Sequence, residues 1–367
     1  MNKIAEIWNR VQCSLFPYLK ERMPDMTADH IRLAAILEVV RIEEHVDPGW
    51  VQWFGRKKKD RKALARAFVA KAAYNMSGTN ALIERLRVDK NLRTLCGWEY
   101  AGQIPSESTF SRAFAIFAET GLLDQVHESL VKHYVSDEIV WHVSRDSTAI
   151  DAREKPARKG SKAEECVKTK KKRGRPRKGE IRGPAPETRL AKQRKQSARE
   201  ALSELPGVCD VGTKKDAKGH KTSWVGYKFH IDTGDGDIPL FAVTTSASLH
   251  DSQVAIPMSK ITAERVTSWY DLMDSAYDAR DIREVSEELG HVPITDRNPR
   301  WAGRTPPMEP DRARRYHGRS AAERINSRLK DNCGGRMVRV RGKPKVHTHL
   351  MFGLLVVFAE ALLGLIS

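Results

Sequence analysis

Cysteine is scarce and scattered, with five in 367 residues, at positions 13, 96, 166, 209 and 333, and no Cys-x-x-Cys pair. That excludes the usual zinc-site spacings and a disulfide framework, and it suits a reducing cytoplasm. Long apolar runs are missing too, and residues 1–16 hold no uninterrupted apolar stretch of the kind a secretory signal needs. The one exception, residues 350–367, barely reaches membrane-spanning length and carries Glu360 inside it. It reads as a buried closing helix, with no membrane partner. Acidic residues are also in short supply, 47 against 64 Lys and Arg, for a formal charge of +17. Such an excess points to a polyanionic partner.

The charge is unevenly spread. Residues 155–200 hold 18 Lys and Arg against 5 Asp and Glu, a net +13, which leaves +4 for the other 321 residues. The chain is therefore a near-neutral globular protein with one strongly basic insert, bounded here as 151–220. Inside it, Arg173-Gly-Arg175-Pro-Arg177 has an AT-hook-like form. An extended Arg-Gly-Arg is narrow enough for an A·T minor groove, whose negative potential attracts guanidinium groups. A generic basic tether that gains affinity by counterion release fits the same residues. Lysine- and proline-rich composition predicts disorder over 155–200 in the absence of DNA.

Residues 1–135 read as helical, with apolar positions at helical spacing in 31–40, 63–73, 81–86 and 110–117. Thr27, Asn80 and Ser106 stand where helices should begin. The short helices around 77–80 suit a helix-turn-helix presenting Arg85, Arg87 and Lys90 to DNA, or a plain bundle with basic surface residues. From 136 the period becomes two. A strand is expected over 138–144, ending at Asp146, then a hairpin of 223–231 and 238–245 about Gly234-Asp-Gly236. A helix at 252–264, a strand at 268–274, a helix at 280–289, a strand at 291–295 and a last charged helix follow. That order makes an α/β protein whose mixed sheet is flanked by helices. The expected domains are 1–135, a helical DNA-binding or dimerisation unit; 136–345, a catalytic unit carrying the insert; and 346–367, the closing helix.

The last charged helix is the most informative stretch. On a helix at about 100° per residue, Tyr316, Arg319, Glu323 and Lys330 fall within a sector of about 60°. Ala322, Ile325 and Leu329 lie further round, as a buried face. A solvated charged face with one i, i+4 pair would show the same pattern. Breaking a phosphodiester at neutral pH needs an activated oxygen nucleophile and charge neutralisation, which carboxylate-held metal ions supply. Asp146 and Asp274, each at an expected strand end, are the candidate partners of Glu323. Asp151 reads as a loop residue beyond the first strand, Asp271 as strand interior and Asp251 as a helix N-cap. Asp296, at the end of the 291–295 strand, is the most credible alternative among the competing carboxylates. Lys228 and His230, two apart on a strand, share one face and could line the DNA-facing edge or simply pack across strands.

These residues resemble a bacterial insertion-sequence transposase of the DDE type, in the class with a Tyr-x2-Arg-x3-Glu-x6-Lys signature. Tyr316, Arg319, Glu323 and Lys330 complete that signature. Arg145-Asp-Ser-Thr-Ala-Ile150 is similar to the first-aspartate motif and Asp274-Ser-Ala-Tyr277 to the second, with Ala276 where glycine is usual. The resemblance implies an RNase H-like sheet, and Asp146, Asp274 and Glu323 holding Mg²⁺, with Mn²⁺ able to substitute. It implies cutting of double-stranded DNA at an element's terminal inverted repeats and joining of the 3′-OH ends to target DNA. A homodimeric synaptic complex and a bacterial, nucleoid-associated cytoplasmic location follow from the same likeness. Tyr316, Arg319 and Lys330 would grip phosphates beside the break. Only 48 residues separate Asp274 from Glu323, too few for the β-rich insertion that hairpin-forming members carry there. Two other readings remain open at this point. One is an RNase H-like nuclease without strand transfer; the other is a DNA-binding regulator or decayed transposase without catalysis.

Overall fold

The computed structural model describes residues 6, 9–23, 25–47, 60–157, 187–215, 220–297 and 307–365. Arg173, Arg175 and Arg177 lie outside them. The helical part comprises α1 (Phe16–Arg22), α2 (Ala28–Val40), α3 (Arg61–Ala73), α4 (Thr79–Val88), α5 (Lys90–Cys96), α6 (Glu107–Glu119) and α7 (Leu122–Tyr134). Each apolar segment expected to be helical falls inside one of these. Thr27 caps α2, its hydroxyl accepting from the His30 N–H. The start expected at Asn80 moves back, because Gly78 takes the N-cap position and Thr79 is already helical. Arg85 is tied to Asp89 (Nε to Oδ2, 3.2 Å), while Arg87 and Lys90 stay exposed.

The sheet comprises β1 (Ile139–Asp151), β2 (Asp210–Lys215), β3 (Lys221–Gly234), β4 (Ile238–Ser246), β5 (Thr267–Met273) and β6 (Val292–Thr295). Its order is β2-β3-β1-β5-β6, and β4 also pairs with β3. β1 runs antiparallel to β3 and parallel to β5, and β6 is parallel to β5. This is an RNase H-like mixed sheet. The first strand runs five residues past its expected end at Asp146, since β3 continues to pair with it as far as Asp151 opposite Gly226. Asp146 is therefore mid-strand and Asp151 is the strand's last residue, not a loop residue. Gly226 is needed for close approach, because a Cβ there would sit 2.0 Å from the Ile150 carbonyl oxygen.

The expectation of disorder over 155–200 fails for its C-terminal part. Residues 187–215 fold as α8 (Arg189–Lys195), α9 (Ala198–Ser203) and β2. Gln193 of α8 is buried, and its side-chain amide donates to the Gln253 carbonyl (2.9 Å). Thus α8 and α9 cover α10 (Ser252–Arg265), which itself packs on one sheet face, against β3, β4 and β5. After α11 (Arg280–Glu288), β6 and α12 (Pro310–Tyr316), the other face receives α13 (Ser320–Asn332) and α14 (Lys343–Gly364).

The apolar C-terminal run is α14, and it is the central post of the molecule. It packs on β4 with one side and on α2, α3, α6 and α7 with others. Leu350, Leu354, Leu355, Val357 and Phe358 are inaccessible to water, each worth about 1.5–3 kcal/mol of burial. One apolar cluster runs from Leu64 and Phe110 through Phe352 and Phe358 to Phe229 and Ile231. The helical region and the sheet thus share a core.

Successive strand residues face opposite ways, and β1 uses that at 145 and 146. Arg145 enters the α10 face and donates from Nε and Nη2 to the two carboxylate oxygens of Asp232 (2.7 Å each), with Ser259 and Thr262 completing the network. Asp146 turns to the α13 face. Breaking this pair from one side strands a buried charge, so Asp232→Asn or Arg145→Met should cost about 3–5 kcal/mol, read from the midpoint of denaturant unfolding. A loss near zero would show that the pair does not lock β1 to β3.

Candidate active site

The register between β1 and β5 builds the centre of the site. Ser144 pairs with Leu272, and the same offset carries Asp146 to the level of Asp274, one residue past the end of β5. Asp146 is mostly withdrawn from water. Burial pushes its carboxyl up to about 6, and the charge of Asp274 adds to that, against the Ser147 N–H, the Asn326 amide and Lys214. Asp274 is raised as well, mainly by burial, although it accepts from the Ala276 N–H (2.9 Å) and feels Arg319 and Lys214. Two desolvated carboxylates thus sit at one level of adjacent strands, and the charge of Asp274 opposes ionisation of Asp146, a local cost that the fold enforces.

Glu323 reaches this pair indirectly. The helix expected over 316–330 is present with one tightened turn: α12 (to Tyr316) passes through a 3-10 turn at His317–Arg319 into α13, and Tyr316, His317, Arg319 and Ser320 all keep right-handed helical backbone angles. The turn packs tightly on β5, where a Cβ at Gly318 would meet Leu272 Cδ1 at 3.1 Å. Ser144 donates to the Arg319 carbonyl (2.7 Å) and anchors the turn to β1. Arg319 then pairs with Glu323 (2.7 Å) and lies over the Tyr316 ring (5.7 Å). The Tyr316 hydroxyl donates to Asp296 (3.0 Å), the residue after β6, and burial with that carboxylate raises its pKa. Lys330 stands two turns beyond Glu323, its pKa lowered by burial and Arg336 and opposed by Asp151. The four signature residues therefore line one path along α12 and α13.

Asn326, unremarked in the sequence, makes the direct link. It lies one turn beyond Glu323, is buried, and its side-chain nitrogen donates to Asp146 Oδ2 (3.0 Å). Its spacing of three from Glu323 was the available signal. Lys214, exposed on the edge strand β2, projects its charge onto Asp146, Asp274 and Lys330. Nothing in the sequence singled it out, because β2 lay within the insert bounded as 151–220, where no strand was expected. Asp251 was assigned an N-cap role, yet its side chain makes no cap bond. It accepts from Lys228 Nζ (2.9 Å) and adds charge beside Asp274.

Lys228 and His230 require a correction. Their cross-strand partners are Ala149 and Ser147, on the Arg145 face and opposite the Asp146 face. His230 is fully buried against Thr245 (2.9 Å), its pKa pushed down to about 4 by burial, and Lys228 is held by Leu249 and Asp251. They brace the start of α10 and do not form a DNA-facing edge.

A Transposase DDE domain family model matches residues 141–358, and a Transposase domain model matches 18–115. The chain belongs to the DDE transposases. No curated protein and no solved structure matches it. The transposase family acts on DNA and generally uses divalent metal ions. The residues at hand fit such an ion in part. Asp146 and Asp274 are hard oxygen donors whose mutual repulsion a cation would relieve. The Asn326 Oδ1 and Tyr277 hydroxyl oxygens nearby are buried without a partner. Among the described residues no three His, Cys, Asp or Glu side chains converge as a metal cluster, since Glu323 is engaged with Arg319.

A residue that orients a metal ligand typically accounts for about 10–100-fold in activity. Asn326→Ala should therefore slow DNA cleavage by that factor while leaving duplex affinity unchanged. A cleavage rate equal to that of wild type would remove Asn326 from the site.

Proposed function

We propose that this transposase cuts DNA at the terminal inverted repeats of its element and joins the freed 3′-OH ends to target DNA. Asp146, Asp274 and Glu323 hold Mg²⁺ in this reading, with Mn²⁺ as a substitute. The observation that carries it is the desolvated Asp146–Asp274 pair, set level on adjacent parallel strands beneath the helix that bears Glu323. When bound, the metal ions supply an activated oxygen nucleophile and neutralise charge at the scissile phosphate.

The chain's own groups do the rest. Asn326 fixes the Asp146 carboxylate, and the Ala276 N–H fixes Asp274. Arg319 tethers Glu323 beside the pair and presents a guanidinium whose planar fork suits a phosphate. Glu323 would exchange that contact for metal as DNA takes the guanidinium. Lys330 and Lys214 add point charges along the path the backbone follows. Tyr316, held on Asp296, offers its ring edge and hydroxyl to the flanking strand. The helical region, through 135, serves DNA recognition or dimerisation, and a homodimer brings two element ends together. The basic segment with Arg173, Arg175 and Arg177 strengthens contact with DNA, in the minor groove where A·T pairs allow it.

A supercoiled plasmid carrying the element's ends, incubated with Mg²⁺ or with EDTA, tests the reaction. Mg²⁺-dependent excision is expected, falling to background in Glu323→Gln, Asp146→Asn and Asp274→Asn while DNA binding persists. Binding with no cleavage under any metal condition would leave a DNA-binding protein only. Cleavage without joined product would mean a nuclease.

Removing residues 158–186 takes away 12 Lys and Arg against 3 Asp and Glu. Each phosphate contact contributes a slope of about −0.9 in log affinity against log salt. The deletion should therefore flatten the salt dependence of DNA binding by several such steps. An unchanged slope would show that the segment does not touch DNA.

A further inference from the structure

A cavity of about 620 Å³ opens between the helical region and the segment joining α13 to α14, within the range of ligand-sized pockets. Its floor is apolar. Phe68, Phe114 and Phe352, each nearly buried, meet beneath it, with centroids 5.1 Å apart for Phe68 and Phe114 and 5.5 Å for Phe68 and Phe352, and Met76, Met337 and Val340 share the lining. Its rim is cationic, formed by Lys71, Arg153, Arg339, Arg341 and Lys345. Glu107 is the one carboxylate in the lining. It is occupied by Asn80, whose side-chain nitrogen, oriented toward it, donates to both oxygens (3.1 and 2.9 Å).

Four of these cations, Arg153, Arg339, Arg341 and Lys345, are exposed at the mouth, and Arg341 donates to the Arg153 carbonyl (3.0 Å). The Lys71 side chain has no hydrogen-bond or ion-pair partner among the described residues, and burial with Arg339 holds its pKa down to about 8. The Arg339 guanidinium lies 3.8 Å from where a Cβ of Gly78 would be. Gly78 is the N-cap of α4 and offers no side chain to the helix's first N–H groups. A guanidinium, a desolvated ammonium and the positive end of a ten-residue helix thus converge. Such an arrangement is stable once an anion enters.

The same elements that build the acidic site lead to this cavity. β1 carries Asp146 and ends two residues before Arg153; α13 carries Asn326 and ends just before Cys333, which lines the cavity. At about 1.5 Å per helical and 3.3 Å per strand residue, seven residues on each rail put the two sites roughly 10–23 Å apart, a span of about three to seven nucleotides.

We propose that the cavity receives one unpaired nucleotide of the bound DNA, a few positions from the strand break. Its phosphate lies among Lys71, Arg339 and the start of α4, and its base lies over the apolar floor. A free anion would need the cations but not the apolar floor; a purely apolar ligand would need the reverse. An unpaired nucleotide uses both. The inference rests on DNA as partner and is independent of the metal-ligand assignment.

The test is binding by the full chain in EDTA, so that cleavage plays no part. Fluorescence anisotropy would compare a blunt duplex with the same duplex carrying a six-nucleotide single-stranded tail. Wild type should prefer the tailed duplex by about tenfold, the size of one stacked base. Lys71→Met and Arg339→Ala should each abolish that preference and leave blunt-duplex affinity unchanged, and Lys71→Arg should restore it. Thermal unfolding of Lys71→Met should occur no lower than in wild type, since a desolvated ammonium is removed; were that variant to misfold, Arg339→Ala carries the test. Deoxyadenosine monophosphate should displace the tail better than inorganic phosphate. Three results would overturn the proposal. They are no tail preference in wild type, equal losses on both duplexes in the variants, and displacement by phosphate as effective as by the nucleotide.

Discussion

The bidentate pair between Arg145 and Asp232 is the constraint on which the rest of this molecule depends. It lies on the buried face of the sheet, at one register position of β1 and β3, with Ser259 and Thr262 of α10 closing the network. A buried ion pair is a poor source of net stability, but removing either half is costly, so it discriminates strongly among registers. A slip of one residue would expose the arginine and bury Asp146 under α10. The pair therefore decides which face the neighbouring aspartate sees.

From that placement follows the tension at the site. Asp146 and Asp274 are brought level by parallel pairing and then covered by α13, so burial raises both carboxyls. The structure offsets the repulsion with Asn326, the Ala276 N–H, Arg319 and Lys214, and leaves Glu323 in reserve on Arg319. α13 is held by β1 and β3 beneath it and by α14 beside it, and α14 joins the helical region and the sheet in one apolar core. The site and the candidate nucleotide cavity consequently sit along the same pair of elements, fixed by the same post.

Much of the fold was legible from residue pattern. The helices around Ile36, Phe68 and Phe114, the hairpin about Gly236 and the alternation into β5 all follow from local periodicity and turn chemistry. So does the burial of the Leu350–Leu355 region, where polarity is too low for any other place in the chain. The acids at 146, 274 and 323 could be nominated from residue type, local context and the family resemblance, and the fold sets 146 and 274 level with each other. Less could be read where the partner is distant. The extension of β1 to Asp151, the ordering of residues 187–215 on α10, and the burial of His230 each depend on elements far away in the chain.

Determined by the sequence alone were the kind of elements, the basic charge and its crowding into one segment, and the candidate acids with their signature companions. These are properties of neighbouring residues, set by side-chain periodicity, composition and short-range sterics. Only the tertiary structure decided that Asp146 and Asp274 share a level, that Asn326 and Lys214 belong beside them, and that Lys228 and His230 do not. It also tightened the expected helix to a 3-10 turn at His317–Arg319, where Gly318 lies close to Leu272 and Ser144 bonds the Arg319 carbonyl. Register and burial arise from contacts between segments a hundred or more residues apart, and no local pattern encodes which segments will meet.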